Sequence, residues 1–271
     1  MSSAAAAAAG AAQVSAPSHS MLGMRLDYLE VEPFVRSFAD RAERSGASAY
    51  ACVPDVHQCM LCHESPEHRA IVNGADFVMS DSTIMQTARA WRHGVPRLGT
   101  ELGTRLMLAI CAEAQKRGIA VALVGGRDDE ALAEIVRQLR ARFPALDVAY
   151  AWSPPFRPIT PDDERAMLDG IVASGVRITF FGIGCPKQEQ WMARYKGRIG
   201  GAMIGVGAAF DAIGGTVRPA PRFVHRMGLE WLYRLSREPR RLGRRYFHSA
   251  PRFVWLLLRD RVAQDRSIAR G

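Results

Sequence analysis

Nowhere in the 271 residues does an apolar run approach the roughly 18 consecutive residues that a membrane-spanning helix requires. The chain is therefore not expected to cross a bilayer. Its first twenty residues, MSSAAAAAAGAAQVSAPSHS, lack both the basic start and the strongly apolar centre of an export signal. Residues 1–22 are read instead as a disordered Ala/Ser-rich tail. No GxGxxG completes any strand-to-helix turn, which counts against a nicotinamide oxidoreductase, and no Walker A sequence occurs. No helix-turn-helix, zinc-finger or RNP signature is present, so no nucleic-acid partner is expected. Lysine is missing from Arg218 to Gly271, a stretch that nevertheless holds 14 Arg against four acids.

That last contrast locates the charge. The whole chain carries +9, the Arg218–Gly271 segment alone 14 − 4 = +10, and the other 217 residues sum to −1. A basic tail made only of arginine suits forked hydrogen bonding to phosphate better than diffuse surface charge. Its aromatic and aliphatic residues, Trp231, Leu232, Tyr233, Phe247, Phe253, Trp255, Leu256, Leu257 and Leu258, suit an anionic bilayer interface. The five cysteines (Cys52, Cys59, Cys62, Cys111, Cys185) are odd in number and are expected reduced. Cys59-Met60-Leu61-Cys62-His63 has haem-attachment spacing, but that chemistry needs export and the stretch falls in a predicted helix. A zinc site from His57, Cys59, Cys62 and His63 would draw all its ligands from two helical turns, so buried thiols are the expected account.

Apolar runs alternate with helical patterns. Strands are expected at Ser48–Val53, Phe77–Met79, Ile119–Val124, Asp147–Ala151, Arg177–Gly182 and Gly201–Val206. Helices are expected at Glu32–Ser45, Val56–Ala75, Ser82–Trp91, Thr100–Arg117, Asp128–Arg142, Asp162–Ser174 and Gln188–Lys196, after an extended lead-in over Met24–Val31. This predicts an α/β core over residues 23–215: a Rossmann-like parallel sheet with helices on both faces. A helical, Arg-rich appendage over residues 216–271 follows.

Ligands of such sheets bind beyond the carboxyl ends of the strands. Three glycine-rich turns fall there: Gly125-Gly126-Arg127, Gly182-Ile183-Gly184-Cys185-Pro186-Lys187-Gln188, and Gly205-Val206-Gly207. Glycine lets backbone N–H groups approach phosphate, although tight turns also use it for packing. Asp81 follows a short strand at a strand-to-helix junction. Spacing suits it as the cap of the next helix, or as a general base at the mouth of the sheet. Arg97 precedes a helix and could hold a leaving phosphate. Gln188 opens a helix, where its amide could hold a sugar hydroxyl.

Taken in order, the motifs resemble the WecG/TagA/CpsF glycosyltransferases, glycosyltransferase family 26, from about Met24 to Tyr246. The pieces include Val53-Pro54-Asp55-Val56-His57, Asn73-Gly74-Ala75-Asp76 through Asp81, Arg97-Leu98-Gly99 and Ser153-Pro154-Pro155-Phe156. The most diagnostic are Gly182–Glu189 and Gly205–Asp211, followed by Arg218–Arg222 and Gly228–Leu235. The resemblance implies inverting, metal-independent transfer of a hexose or N-acetylhexosamine from a UDP-sugar to an undecaprenyl-diphosphate-linked sugar, with no cofactor. The setting implied is the cytoplasmic face of a bacterial membrane, where the enzyme is peripheral and self-association is left open. Asp81 would be the general base and Gln188 a sugar-positioning residue. Arg97 would contact diphosphate, with Arg237, Arg241 and Arg244 of the appendage. Val53, Asp55, Gly125, Gly126, Gly184, Pro186, Lys187, Gly205 and Gly207 would line the substrates. The family often has Thr at the position of Val53, Asn at that of Asp55, and Gly at that of Ser82. The absence of an Asp-x-Asp tripeptide agrees with arginine forks, not a metal, offsetting the leaving diphosphate.

Overall fold

The computed structural model of the chain describes residues 17–80, 82–99, 103–216, 224, 230–237, 243 and 249–260. A hairpin, β1 (Ser18–Met21) and β2 (Met24–Asp27), leads into α1 (Val31–Glu43), β3 (Ser48–Cys52), α2 (Val56–Glu64) and α3 (Pro66–Asn73). Then come β4 (Phe77–Val78), α4 (Thr83–His93), α5 (Gly103–Arg117), β5 (Val121–Gly125), α6 (Asp129–Arg142) and β6 (Val148–Trp152). The core closes with α7 (Pro161–Ala173), β7 (Ile178–Gly182), α8 (Lys187–Tyr195), β8 (Gly201–Gly205) and α9 (Ala209–Ile213). Beyond it lie α10 (Glu230–Arg237) and a last helix over residues 249–260.

The six core strands pair in the order β4-β3-β8-β7-β5-β6, and every neighbouring pair is parallel. The central strands β5 and β8 are buried at every residue, as continuous apolar runs in a doubly covered sheet should be. One face packs against α1, α5, α6 and α9, with Phe34, Phe38 and Phe77 meeting ring to ring. The other face carries the hairpin, α2, α4, α7, α8 and the last helix. Here Phe181, Trp191 and Tyr195 form the aromatic centre. Val124 pairs with Phe181, Phe181 with Gly205, Ala51 with Ile204 and Cys52 with Val78. In-phase parallel strands bring all the following loops to one edge.

Three departures from the sequence reading have local causes. The expected helix over Val56–Ala75 is two helices. Ser65 caps the second, accepting from His68 N, and Pro66 stands at its first position. Proline has no N–H to continue a preceding helix and its fixed φ suits a first turn. The lead-in is a hairpin, and β1 reaches back into the stretch assigned to the tail. Its turn, Leu22-Gly23, has both residues at positive φ (52° and 89°). Third, Phe253, Leu256 and Leu257 of the last helix, expected to face a membrane, are buried in the core. Arg92 pairs with Asp260 at 2.9 Å and Arg252 pairs with Glu64, tying that helix to α4 and α2.

Candidate active site

The described site residues that follow the core strands fall at the carboxyl edge. After β4, Ser80 is 2% exposed; its hydroxyl donates to Pro54 O at 2.5 Å and its carbonyl accepts from Gln86 Nε2 at 2.7 Å. Ser82 N donates to Ser80 Oγ at 3.2 Å, and the Ser82 side chain caps α4 by accepting from Met85 N. The capping duty that spacing offered Asp81 is therefore filled by Ser82. Asp81 itself lies outside the described residues, but both its neighbours are fixed at the sheet edge.

After β3, Val53 is half-buried against the α1 side of the core, and Asp55 caps α2, accepting from Gln58 N at 3.0 Å. Its carboxylate thus has a structural task in addition to any substrate contact. Arg97 is exposed in the loop after α4. The residues around it are anchored: Pro96 O accepts from Arg89 Nη2 at 3.2 Å, and Leu98 is buried.

The glycines divide by cause. Gly125 sits where a Cβ would meet the Gly182 backbone at 2.7 Å, so close packing of β5 on β7 already demands it. Gly126 faces Leu132 and belongs to the same tight turn. Gly184 has φ 86° and open space beside it, which is the geometry of a turn a ligand can approach. Gly205 makes room for Gln188: a Cβ there would lie 2.6 Å from Gln188 Nε2 and 2.9 Å from its Cδ. Gly207 borders the other end of the same amide, with Oε1 3.7 Å from the Cβ position. Pro186 precedes α8 on a cis peptide, and Lys187 is exposed at the first position of that helix. The sequence thus brings Gln188, from the β7 turn, onto the glycine turn of β8.

Sequence reasoning missed the residue beneath Gln188. Glu189 is 1% exposed, and its Oε1 accepts from Gln188 Nε2 at 2.8 Å. Burial pushes its carboxyl up from the ordinary range, against the Gln188 amide, its own backbone N–H and the Cys185 and Gln58 side chains, which favour the anion. Gln58, 3% exposed, approaches the same carboxyl without a close hydrogen bond. The missed signal was helical phase. Glu189 lies three residues before Met192, in the buried stripe of α8, where an acid must have a partner.

Arg237 is exposed at the end of α10, while Arg241 and Arg244 lie outside the described residues. Burial raises the thiols of Cys52, Cys59, Cys62 and Cys111, so these are inert core groups. Among the described residues, no three His, Cys, Asp or Glu side chains are grouped to hold a metal, the His57–His63 stretch included.

A parallel α/β sheet with three glycine turns and a seated glutamine at one edge can hold a nucleotide-linked substrate. The model of the glycosyl transferase WecG/TagA/CpsF family matches residues 19–267, from β1 past the last helix. With the match covering the fold and every loop of this edge, the chain belongs to the WecG/TagA/CpsF family of glycosyltransferases.

Proposed function

We propose that the protein transfers a hexose or N-acetylhexosamine from a UDP-sugar to a sugar carried on undecaprenyl diphosphate, in the assembly of a surface polysaccharide. Asp81 takes the proton of the acceptor hydroxyl as that oxygen attacks the anomeric carbon from the face opposite UDP. The C–O bond to UDP breaks with its electron pair on the diphosphate, and the anomeric configuration inverts. Arg97, with Arg237, Arg241 and Arg244 of the appendage, offsets the charge on the departing diphosphate, so neither metal nor cofactor is required. Lys187 and the open Gly184 turn suit the donor phosphates.

The observation that carries this reading is the cap of α4. Because Ser82 fills it, the first turn of α4 does not depend on residue 81 for this cap, and the neighbours of residue 81 are fixed at the edge where substrates of such sheets bind.

The enzyme works as a peripheral protein on the cytoplasmic face of the membrane. Among the described residues no helix is long and apolar enough to cross a bilayer. The last helix turns Val254, Trp255 and Leu258 outward, with the Arg259 guanidinium 4.8 Å from the Trp255 ring. Apolar rings beside arginine suit an anionic lipid interface.

The test is the stereochemistry of the product. With a panel of UDP-sugars and a prenyl-diphosphate-linked GlcNAc or glucose analogue, the new linkage should show by proton NMR the anomeric configuration opposite to the donor's. A retained configuration would require a different mechanism.

A further inference from the structure

Among the buried polar atoms at the carboxyl edge that lack a hydrogen-bond partner among the described residues, three belong to one group of adjoining side chains: Gln188 Oε1, Glu189 Oε2 and Gln58 Nε2. Their residues are 6%, 1% and 3% exposed. A native core leaves few such atoms, and each calls for a function or an absent partner. These belong to adjoining side chains on the seam between β3, β7 and β8, beside the turn built of Gly205, Val206 and Gly207.

A primary amide has two unlike ends of nearly equal size, and only its surroundings decide which end faces where. For Gln188 the surroundings are one-sided. Its Nε2 end donates to Glu189 Oε1 at 2.8 Å, over the bare backbone of Gly205. An acid in that position accepts from the amide nitrogen whether it is ionised or carries its proton on Oε2. While Glu189 Oε1 carries no proton, flipping the amide would set the Gln188 oxygen against it, two acceptors facing each other in a buried site. The Gln188 oxygen is consequently left at the Gly207 end, unpartnered.

We infer that Glu189 is a positioning residue, which fixes the amide of Gln188 so that its carbonyl oxygen is the atom offered to substrate. The inference rests on the transferase reading and narrows it. Gln188 then takes a hydrogen bond from substrate, so its partner is a hydroxyl or an acetamido N–H of a sugar. A phosphate oxygen, which can only accept, is not its partner. The diphosphate is left to the arginines and to backbone N–H groups.

The experiment compares kcat/KM and melting temperature in full-length wild type, Glu189→Leu, Glu189→Gln, Gln188→Glu and the exchanged pair Gln188→Glu with Glu189→Gln. Glu189→Leu removes the acceptor and should lower kcat/KM about tenfold or more. Glu189→Gln restores an acceptor at the same place and should recover most of that loss. The exchanged pair reverses the buried hydrogen bond but still presents an oxygen to substrate, and should stay within about tenfold of wild type. Gln188→Glu alone sets two acids side by side and should be far worse than the pair. If Glu189→Leu does not fold, the exchanged pair, which keeps every group and volume, decides.

An inactive exchanged pair with a wild-type melting temperature would overturn the inference, because it would mean that Gln188 donates to an acceptor such as phosphate. Glu189→Leu with wild-type kcat/KM would also overturn it, since nothing would then be fixed by Glu189. Wild type without turnover on any donor would instead bring down the transferase reading, and this inference with it.

Discussion

Gln188 shows how a single side chain can depend on residues chosen for what they lack. Its amide occupies the space that any side chain at 205 would need, and bonds to a carboxyl almost wholly removed from solvent. Gly205→Ala should therefore push the amide off Glu189. We expect a fall of about tenfold in kcat/KM, with a stability loss of about 1–3 kcal/mol from overpacking. Steady-state kinetics and thermal melting on the same preparation check both. Full activity would mean that the amide does not need its seat. Asp81 is the complementary case, since its proposed freedom to act as a base follows from Ser82 taking the cap. Spacing alone could not assign that duty between two adjacent residues that both make good caps.

At the scale of elements, the hairpin carries a pH-sensitive contact. β1 and β2 lie against α4 and β4: Asp27 Oδ2 accepts from Val78 N at 2.8 Å, and Arg25 donates to Ala75 O at 2.7 Å. Between hairpin and α4 sit His19 and His93, their rings 4.6 Å apart, with the Arg89 guanidinium 4.3 Å over the Tyr28 ring. Burial lowers both histidines; each also feels Arg89, His19 feels His93, and Arg92 acts on His93 against its bond to Ser20 O. The folded state then binds fewer protons than the unfolded chain below about pH 6.5. Stability should be unaffected by these groups above that pH and should fall as pH drops through it toward the lowered folded values. Corrected for its intrinsic rate, hydrogen exchange of the β1–β2 amides should lose protection as pH falls from 7.5 to 5.5, and His93→Gln should flatten the change. Exchange that does not respond to pH beyond its intrinsic chemistry would contradict this. The hairpin was not legible in the sequence because its turn is Leu22-Gly23, without the Asn-Gly or Asp-Gly that marks such turns. The core strands were legible because a doubly covered parallel strand is apolar throughout, as Val121–Gly125 is. The break at Pro66 could have been read, since a helical pattern does not run through proline without a kink. The site was partly legible. Its glycine turns and Gln188 stand out in the chain, whereas Glu189 matters through burial and a contact that only the fold supplies.

For the molecule as a whole, the basic appendage combines core packing with an outward-facing surface. Phe253, Leu256 and Leu257 anchor the last helix, whereas Val254, Trp255 and Leu258 are each about half exposed. A charge run interleaved with aromatics does not by itself say which residues pack inward, because both faces of that helix are apolar. The outward group is the proposed lipid contact. Trp255→Glu combined with Leu258→Glu should abolish sedimentation with phosphatidylglycerol vesicles while the melting temperature holds. Retained vesicle binding would place the lipid contact elsewhere.

The central claim joins family, fold and edge geometry in one catalytic carboxylate. Its most direct test is UDP release from a UDP-sugar panel, with a prenyl-diphosphate-sugar acceptor, in EDTA, for wild type and Asp81→Ala. Acceptor-dependent release that persists in EDTA and is lost in Asp81→Ala, with the variant still folded, is the expected result. EDTA-sensitive release that survives Asp81→Ala would contradict it.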